Sequence, residues 1–344
     1  MLQKLSLLIL IGFYSSITNA QKLRMYFDQA WKPCQEKDAV YVCESEKQDA
    51  VWYRADYSAR TLQLLKHGFY KDDHFQIKHG RFEYFFGNGS ISETEQFNDN
   101  KKTGLRLSLY PNGFLIDSFY FKNNIPYGIC SSWYPNGQPK TEMQMDTAGN
   151  GSGLVIGFFE DGTISFKGKL APGLRKTGNW FYYHPNGKRA SVLQYAQPDS
   201  SFQNREPQIK FDVYESAYYD STVNYSNAIC YDTNGVQQPG CKIENSKPEY
   251  GKGIDDWVNY ISNALSGIVQ QHGNLSKPVT YIASFKVNIN GETSDIMLDN
   301  SVNAKFDADI LQLFKKSRKW KPAQHNNRTI SFLHKQSLTL GVDF

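Results

Sequence analysis

The stretch "SLYPNGFLIDSFYFKNNIPYGICSSWYPNG", residues 108–137, contains the tetrapeptide Tyr-Pro-Asn-Gly twice, 24 residues apart. The same spacing continues on both sides of it. A lead glycine is followed eight residues later by Asn-Gly or Asp-Gly in five copies, separated by 24, 24, 25 and 25 residues. The five lead glycines are Gly80, Gly104, Gly128, Gly153 and Gly178. Fixed internal spacing over five copies is typical of a repeat architecture, and an irregular β-meander is the alternative.

The local chemistry of each copy predicts a β-hairpin. Proline presets φ for the turn, asparagine tolerates the next position, and glycine takes the left-handed residue that closes the hairpin. One hairpin cannot bury its apolar face alone, so the copies are expected to stack, with each lead glycine at a crowded or positive-φ position. Two sets of apolar side chains, five and seventeen residues after each lead glycine, are expected to face the core. They are Phe85, Leu109, Trp133, Phe158 and Tyr183, then Phe97, Phe121, Met145, Leu170 and Tyr195.

The repeat extends beyond the five clear copies. A worn copy stands at Asn234-Gly235, two periods after the fifth, and the copy between them, near residues 200–215, has lost its turn and reads as a loop or insertion. The sequence therefore predicts a β-rich N-terminal cap over residues 21–77, repeats over 78–196, and a degenerate repeat with a linker over 197–245.

The pattern of glycine, aromatic residues and Asn-Gly over roughly residues 78–196 resembles the bacterial MORN-repeat variants. The resemblance implies an elongated stack of β-hairpins. It implies little about activity, because such repeats are linked variously to membrane association, protein contacts and scaffolding.

The pattern changes near residue 246, where helical periodicity begins. In residues 254–268 the side chains of Ile254, Trp257, Ile261, Leu265 and Ile268 share one helix face. Two strands joined by Asn290-Gly291 follow, then a second amphipathic helix over residues 307–319 and a long final strand that begins near Thr329. The chain is thus expected to be mainly β, with a small α+β domain over residues 246–344.

The element order, the segment "FKVNINGETSDI" and the run "KSRKWKPAQHNN" resemble the C-terminal domain of TonB-type energy transducers. Asn326-Asn327, where that family usually has Asn-Gly, departs from its pattern. The resemblance implies an edge strand that binds a short peptide of an outer-membrane protein. The peptide-binding edge that it implies here is Ser337, Leu338, Thr339 and Leu340, and the alternative is that these residues only pair within their own sheet.

The N-terminus has the features of an export signal. A short segment with one lysine precedes an apolar run of about 10 residues, too short to span a bilayer, and Thr18-Asn19-Ala20 offers small residues for cleavage. We expect residues 1–20 to be a signal peptide, and the mature protein to be exported to the periplasm or outer envelope of a Gram-negative bacterium without spanning a membrane. The alternative is that residues 5–20 are kept as an anchor.

Five cysteines follow the expected signal, and export would allow disulfides. The pairs closest in sequence are the candidate disulfides, Cys34 with Cys43 and Cys230 with Cys241, although sequence cannot fix the connectivity. Cys130, on a predicted strand, is expected to be a buried thiol. His184, beside Pro185, is expected to be an exposed residue flanking a turn.

The sequence carries no motif of a hydrolase, a metalloprotease or a phosphate-binding loop. We expect no catalytic residues, no metal and no cofactor, and the net charge of +4 is too mild to indicate a nucleic-acid partner. The resulting hypothesis is a non-enzymatic docking protein of the cell envelope, whose partner is an envelope or outer-membrane protein or peptide. An anchored energy transducer and a glycan or peptidoglycan binder are the alternatives, and the oligomeric state stays open.

Overall fold

A computed structural model describes residues 22–197, 225–243, 245–273, 279–298 and 304–340. The expected signal peptide and the copy near residues 200–215 that has lost its turn lie outside the described residues. Within the described parts, no helix is both long and apolar enough to cross a membrane. The chain forms two compact units that meet between Lys101 and Lys102, which is inside the predicted repeat region.

The first unit is an antiparallel sheet in which each strand pairs with the next one along the chain. A short 3-10 helix, Glu36–Asp38, follows the first strand. The strands are β1 (Leu23–Phe27), β2 (Tyr41–Gln48), β3 (Val51–Ser58), β4 (Leu64–Tyr70), β5 (Lys78–Phe85) and β6 (Ile91–Asn98), with β7 (Lys101–Lys102) at the unit boundary. Its core contains Tyr70, Phe82 and Phe97.

The second unit begins with further antiparallel hairpins. Their strands are β8 (Gly104–Leu109), β9 (Leu115–Lys122), β10 (Ile125–Trp133), β11 (Pro139–Met145), β12 (Gly153–Phe158), β13 (Ile164–Ala171), β14 (Arg175–Tyr183), β15 (Arg189–Tyr195), β16 (Tyr225–Tyr231) and β17 (Gln237–Gln238). Strand β15 pairs directly with β16, so the hairpin at Asn234-Gly235 follows the fifth copy without another one between them in the sheet.

The glycines of the repeat have the backbone conformations that the sequence predicts. The five turn glycines have φ between +78° and +86°, which places each in the left-handed region. Four of the five lead glycines also have positive φ. The exception, Gly153, is crowded instead, because a Cβ there would lie 2.6 Å from the carbonyl oxygen of Gln144. Both reasons that the sequence offered for the lead glycine therefore occur.

One of the two predicted core positions is confirmed and the other is wrong. The residues seventeen after each lead glycine are all buried. The residues five after it are only half-buried and lie on the other face. Side chains alternate along a strand, and the residue two after the lead glycine already points inward, as Phe82, Cys130, Val155 and Trp180 do. We call the face of the second unit's repeat strands that carries Cys130, Val155 and Trp180 the inner face.

The C-terminal module, residues 246–340, has the predicted order of helix, strand, strand, helix and strand. Its elements are β18 (Glu249–Tyr250), α1 (Ile254–His272), β19 (Val279–Val287), β20 (Thr293–Leu298), α2 (Ala304–Lys315), β21 (Trp320–Lys321), β22 (Ala323–His325), β23 (Arg328–Ile330) and β24 (Phe332–Leu340). Trp257, Ile261, Leu265 and Ile268 of α1 are buried in the module's core, and Trp320 belongs to the same core. Ile254, predicted on the same face, is exposed at the start of the helix.

The boundaries of several elements in the module also differ from the sequence prediction. The second helix ends at Lys315, four residues before the predicted end. Residues 323–330 form a separate hairpin of β22 and β23, so the last strand begins at Phe332 and not near Thr329. The cause is the turn at Asn326 and Asn327, where φ is +52° and +66°, since two left-handed residues in succession close a tight hairpin.

Candidate binding site on the C-terminal module

The hairpin of β22 and β23, which we call the docking hairpin, packs on the inner face of the repeat strands. Arg328 Nη1 donates a hydrogen bond to Ser165 Oγ at 2.6 Å, and both residues are buried. Ser191 Oγ donates to the backbone carbonyl of Asn326 at 2.8 Å. These bonds join residues that are 163 and 135 positions apart in sequence, and they fix the C-terminal module on the repeat sheet.

Aromatic rings of the repeat strands surround the charged end of the docking hairpin. The guanidinium of Arg328 lies 5.5 Å, 5.8 Å and 5.6 Å from the ring centres of Phe159, Phe166 and Tyr182. A guanidinium can stack its flat face on aromatic rings and at the same time donate hydrogen bonds in its own plane. The ammonium of a lysine cannot do both. Arg328 therefore combines charge, hydrogen bonding and packing in one buried side chain.

His325 is buried beside Arg328, and its ring centre lies 6.3 Å from that of Tyr182. Asn326 Nδ2 donates a hydrogen bond to His325 Nε2 at 3.0 Å, which requires that nitrogen to be unprotonated. Burial holds the pKa of His325 well below its usual range, and the positive charges of Arg328 and Lys176 lower that pKa further. The docking hairpin is thus built around a neutral imidazole.

A second link joins the module to the tip of a repeat hairpin. Lys286 Nζ on β19 lies 2.5 Å from Glu160 Oε1, in the turn after β12, and 2.6 Å from Asp295 Oδ2 on β20. Burial alone would lower the pKa of Lys286, but its hydrogen bonds to Asp295 and Glu160 outweigh burial and raise that pKa. The ammonium is therefore charged and is shared by the two carboxylates.

The repeat tips next to this link are tied to one another by side chains of the Tyr-Pro-Asn-Gly motif. Tyr134 Oη donates to the carbonyl of Phe158 at 2.7 Å, and Tyr110 Oη donates to the carbonyl of Trp133 at 3.1 Å. Asn136 Nδ2 donates to the carbonyl of Glu160 at 3.1 Å. The motif thus sets the turn and also holds each tip against the next one, which positions Glu160 for Lys286.

The predicted binding residues lie on β24, at one edge of a three-stranded sheet in the order β20, β19, β24. Strand β24 pairs with β19 along its whole length, and no other described strand pairs with its far side. Of the four predicted residues, Ser337 and Thr339 are exposed, whereas Leu338 and Leu340 are buried under the helices. Among the described strands, β24 therefore pairs within its own sheet on one side and lies at the edge on the other, and peptide binding there stays a prediction.

Sequence reasoning did not find the cleft beside the start of β24. It lies between the repeat tips and the face of the three-stranded sheet that points away from the helices, and it encloses about 560 Å³ of empty space with open solvent included. Aromatic and proline rings of the tips form one side, and side chains from all three strands form the other. The lining includes Tyr110, Tyr134, Pro135, Lys286, Met297 and Leu333.

His184 is not the exposed residue that the sequence predicted. It is buried, and its Nε2 lies 3.2 Å from the carbonyl oxygen of Tyr231. It takes the place that Tyr110 and Tyr134 hold in their tips, where the side chain reaches the backbone of the next copy. The prediction failed because the proline after it marks the turn but not the direction in which the preceding side chain points.

The two candidate disulfides have different outcomes. Cys230 and Cys241 are bonded, and they are 11 residues apart. Cys34 and Cys43 are separate thiols. Cys34 donates its N–H to the carbonyl of Tyr26 on β1, while Cys43 lies on β2, which pairs with the other side of β1. With β1 between them the two Cα atoms are about 10 Å apart, beyond the reach of a disulfide.

The buried thiols are not in a form that favours nucleophilic chemistry. Burial raises the pKa of Cys43 to about 12 and that of Cys130 to about 11, so both stay protonated at neutral pH. Cys130 is buried as predicted. Across the described ranges, no group of three or more His, Cys, Asp or Glu residues is arranged to hold a metal ion.

Comparison with known families finds the MORN repeat variant at two places, residues 126–146 and 176–197. These segments contain the third and fifth lead glycines, Gly128 and Gly178, with their hairpin strands. No curated protein matches the chain. The matched segments and the hairpin sheet together make this part of the chain a β-hairpin repeat scaffold.

Proposed function

We propose that the protein is a non-enzymatic docking protein in which the repeat sheet holds the C-terminal module and the outer edge of β24 binds an extended peptide of a partner protein. The observation that carries the proposal is the position of β24, which among the described strands pairs only with β19. Its module is held on the scaffold by contacts of Arg328, Asn326 and Lys286. The resemblance to TonB-type C-terminal domains also supports it.

An edge strand suits this role because its unpaired backbone groups form hydrogen bonds with any added strand. Docking on the scaffold adds a second advantage. A module that is fixed in one orientation loses less freedom when a partner binds, because the ordering has already taken place.

The test uses the full chain and a bead-displayed library of random ten-residue peptides. Peptides that bind are then synthesised in two forms, unmodified and with alternate backbone nitrogens methylated. Methylation removes the N–H groups that pair with a strand and keeps every side chain. We expect the methylated forms to lose at least tenfold in affinity. Equal binding of both forms would exclude strand addition and overturn the proposal.

We further propose that the protein works in the cell envelope of a Gram-negative bacterium, with an envelope or outer-membrane protein as the partner. The apolar N-terminal segment with small residues at 18–20 supports this, and so does the Cys230–Cys241 disulfide, which is typical of oxidising compartments. N-terminal sequencing of the protein from fractionated cells tests it. A chain that starts at Gln21 in the periplasmic or outer-membrane fraction is expected. A chain that starts at Met1 in the inner membrane would favour the anchored transducer.

A further inference from the structure

The side chains of β24 alternate between the helices and the opposite face of the sheet. Its register with β19 sets Leu338 opposite Tyr281 in the core under the helices. Leu333, Lys335, Ser337 and Thr339 lie opposite Lys286, Ser284, Ile282 and Thr280, on the face that points away from the helices, which we call the open face. A strand added along β24 places every second side chain on this same face.

The open-face row begins at the cleft. Leu333 and Met297 form its apolar wall on the sheet side, opposite the rings of Tyr134 and Pro135. Among the charged groups at the cleft, Glu160 and Asp295 share the ammonium of Lys286, and the ammonium of Lys140 lies 5.8 Å from the centre of the Tyr134 ring. A side chain that enters between the rings and Leu333 therefore meets mainly apolar groups, and an apolar side chain gains most from leaving water there.

The next residue of the row has the opposite chemistry. Lys335 is exposed and lies two positions along β24 from Leu333. Its side chain is therefore the next one after Leu333 on the open face. Directly opposed side chains on neighbouring strands have Cβ atoms about 4.5–5.5 Å apart, close enough for a carboxylate to pair with the ammonium. Ser337 and Thr339, the rest of the row, are small and polar and impose no charge preference.

We propose that the peptide recognised by β24 carries an apolar residue and an acidic residue two positions apart, with the apolar side chain in the cleft beside Leu333 and the carboxylate opposite Lys335. This inference rests on the function proposed above and names the chemistry of the partner. Backbone pairing gives affinity that does not depend on the sequence of the peptide. The side chains of the open-face row give the specificity for particular peptide residues.

A charge-swap experiment on the full chain tests the acidic position. The probes are two labelled octapeptides with Leu at position 2 and Ser at positions 6 and 8, one with Glu and the other with Lys at position 4, and Thr elsewhere. We expect wild-type protein to bind the Glu peptide about fivefold more tightly, and Lys335→Glu to reverse the order. Lys316→Glu, an exposed lysine just beyond the end of α2, is the matched control and should keep the wild-type order.

A third peptide, with Ser in place of Leu at position 2, tests the cleft. It should bind wild-type protein more weakly than the Glu peptide, and Leu333→Ser should remove most of that difference. Amide exchange locates the bound peptide in each case. Equal affinity of the Glu and Lys peptides, with β24 protected by both, would overturn the inference and leave the proposed function standing. No protection of β24 by any peptide would overturn both.

Discussion

Arg328 on the docking hairpin donates a buried hydrogen bond to Ser165 on β13, 163 residues earlier in the chain. This bond, with the one from Ser191 to Asn326, sets the position of the C-terminal module on the inner face of the repeats. The module is therefore part of the scaffold and not a domain on a tether. What it presents to a partner is decided by this orientation as well as by its own fold.

Replacing Arg328 with methionine should destabilise the second unit. The change keeps the apolar stem, removes the charge above three rings and leaves Ser165 Oγ without its donor, which together should cost about 2–4 kcal/mol. Urea unfolding measures the loss. Lys319→Met is the control, because Lys319 forms an exposed ion pair with Glu292 at 3.3 Å that is worth less than about 1 kcal/mol. Equal effects of the two changes would mean that Arg328 does not hold the module in place.

Acid should destabilise the docking of the C-terminal module on the repeat sheet, because His325 of the docking hairpin is buried in its neutral form. Because the pKa of His325 is depressed when it is buried, the unfolded state binds the proton more readily, and the stability falls as the pH drops below about 6.5. The loss from this residue between pH 7 and pH 5.5 should be about 1 kcal/mol. It should continue until the pH passes the pKa of the folded state.

His325→Gln isolates this contribution, because glutamine does not titrate. The unfolding free energy of the variant should vary less with pH than that of wild-type protein. Some dependence should remain, because burial also lowers the pKa of His334 on β24. The same pH dependence in both proteins would show that His325 does not stay neutral in the folded state.

Removing one tyrosine hydroxyl from a repeat tip should weaken the hydrogen bonds that join successive tips. Tyr134→Phe deletes the donor to the carbonyl of Phe158 and should cost about 1 kcal/mol. Tyr120→Phe is the matched control, because Tyr120 is 43% exposed on β9, away from the hydrogen bonds that join successive tips. Thermal unfolding should separate the two variants by several degrees, and coincident curves would argue against a role for the tyrosine beyond turn packing.

The turn glycines can be tested within a single turn. Gly89 has φ of +84° and Gly87 does not have positive φ, while a Cβ at either one would touch almost nothing. Gly89→Val should therefore cost about 1 kcal/mol or more through backbone strain, and Gly87→Val should cost little. The melting temperatures of the two variants compare the effects directly. Equal melting temperatures would mean that the left-handed conformation is not required.

Local chemistry made the repeat predictable. The left-handed φ at each turn glycine follows from the residues of the turn itself, and so does the hairpin that it closes. The prediction that the residues five after each lead glycine face the core was wrong. The spacing shows which positions are apolar but not which side of a strand they occupy. A lysine two residues before three of the lead glycines was also missed. Lys78, Lys102 and Lys176 each lie over a core aromatic ring, and their shared place in the period was a readable signal.

The binding site was only partly within reach of the sequence. The final strand follows from element order, and its edge position is what the resemblance to TonB-type C-terminal domains implies. The docking hairpin follows from neither. Adjacent Asn326 and Asn327 between short β-prone runs were the available sign of that turn. The cleft could not have been predicted, because Lys286 and Asp295 belong to one hairpin of the module and meet Glu160 of the repeats only where the module docks.

Hydrogen–deuterium exchange of the full chain, with and without a peptide that binds it, tests the central claim most directly. If β24 is the binding edge, the added strand should slow exchange of backbone amides within residues 332–340 and leave those of α1 and of β8–β15 unchanged. Peptide binding that protects the repeat strands and leaves residues 332–340 unprotected would contradict the account.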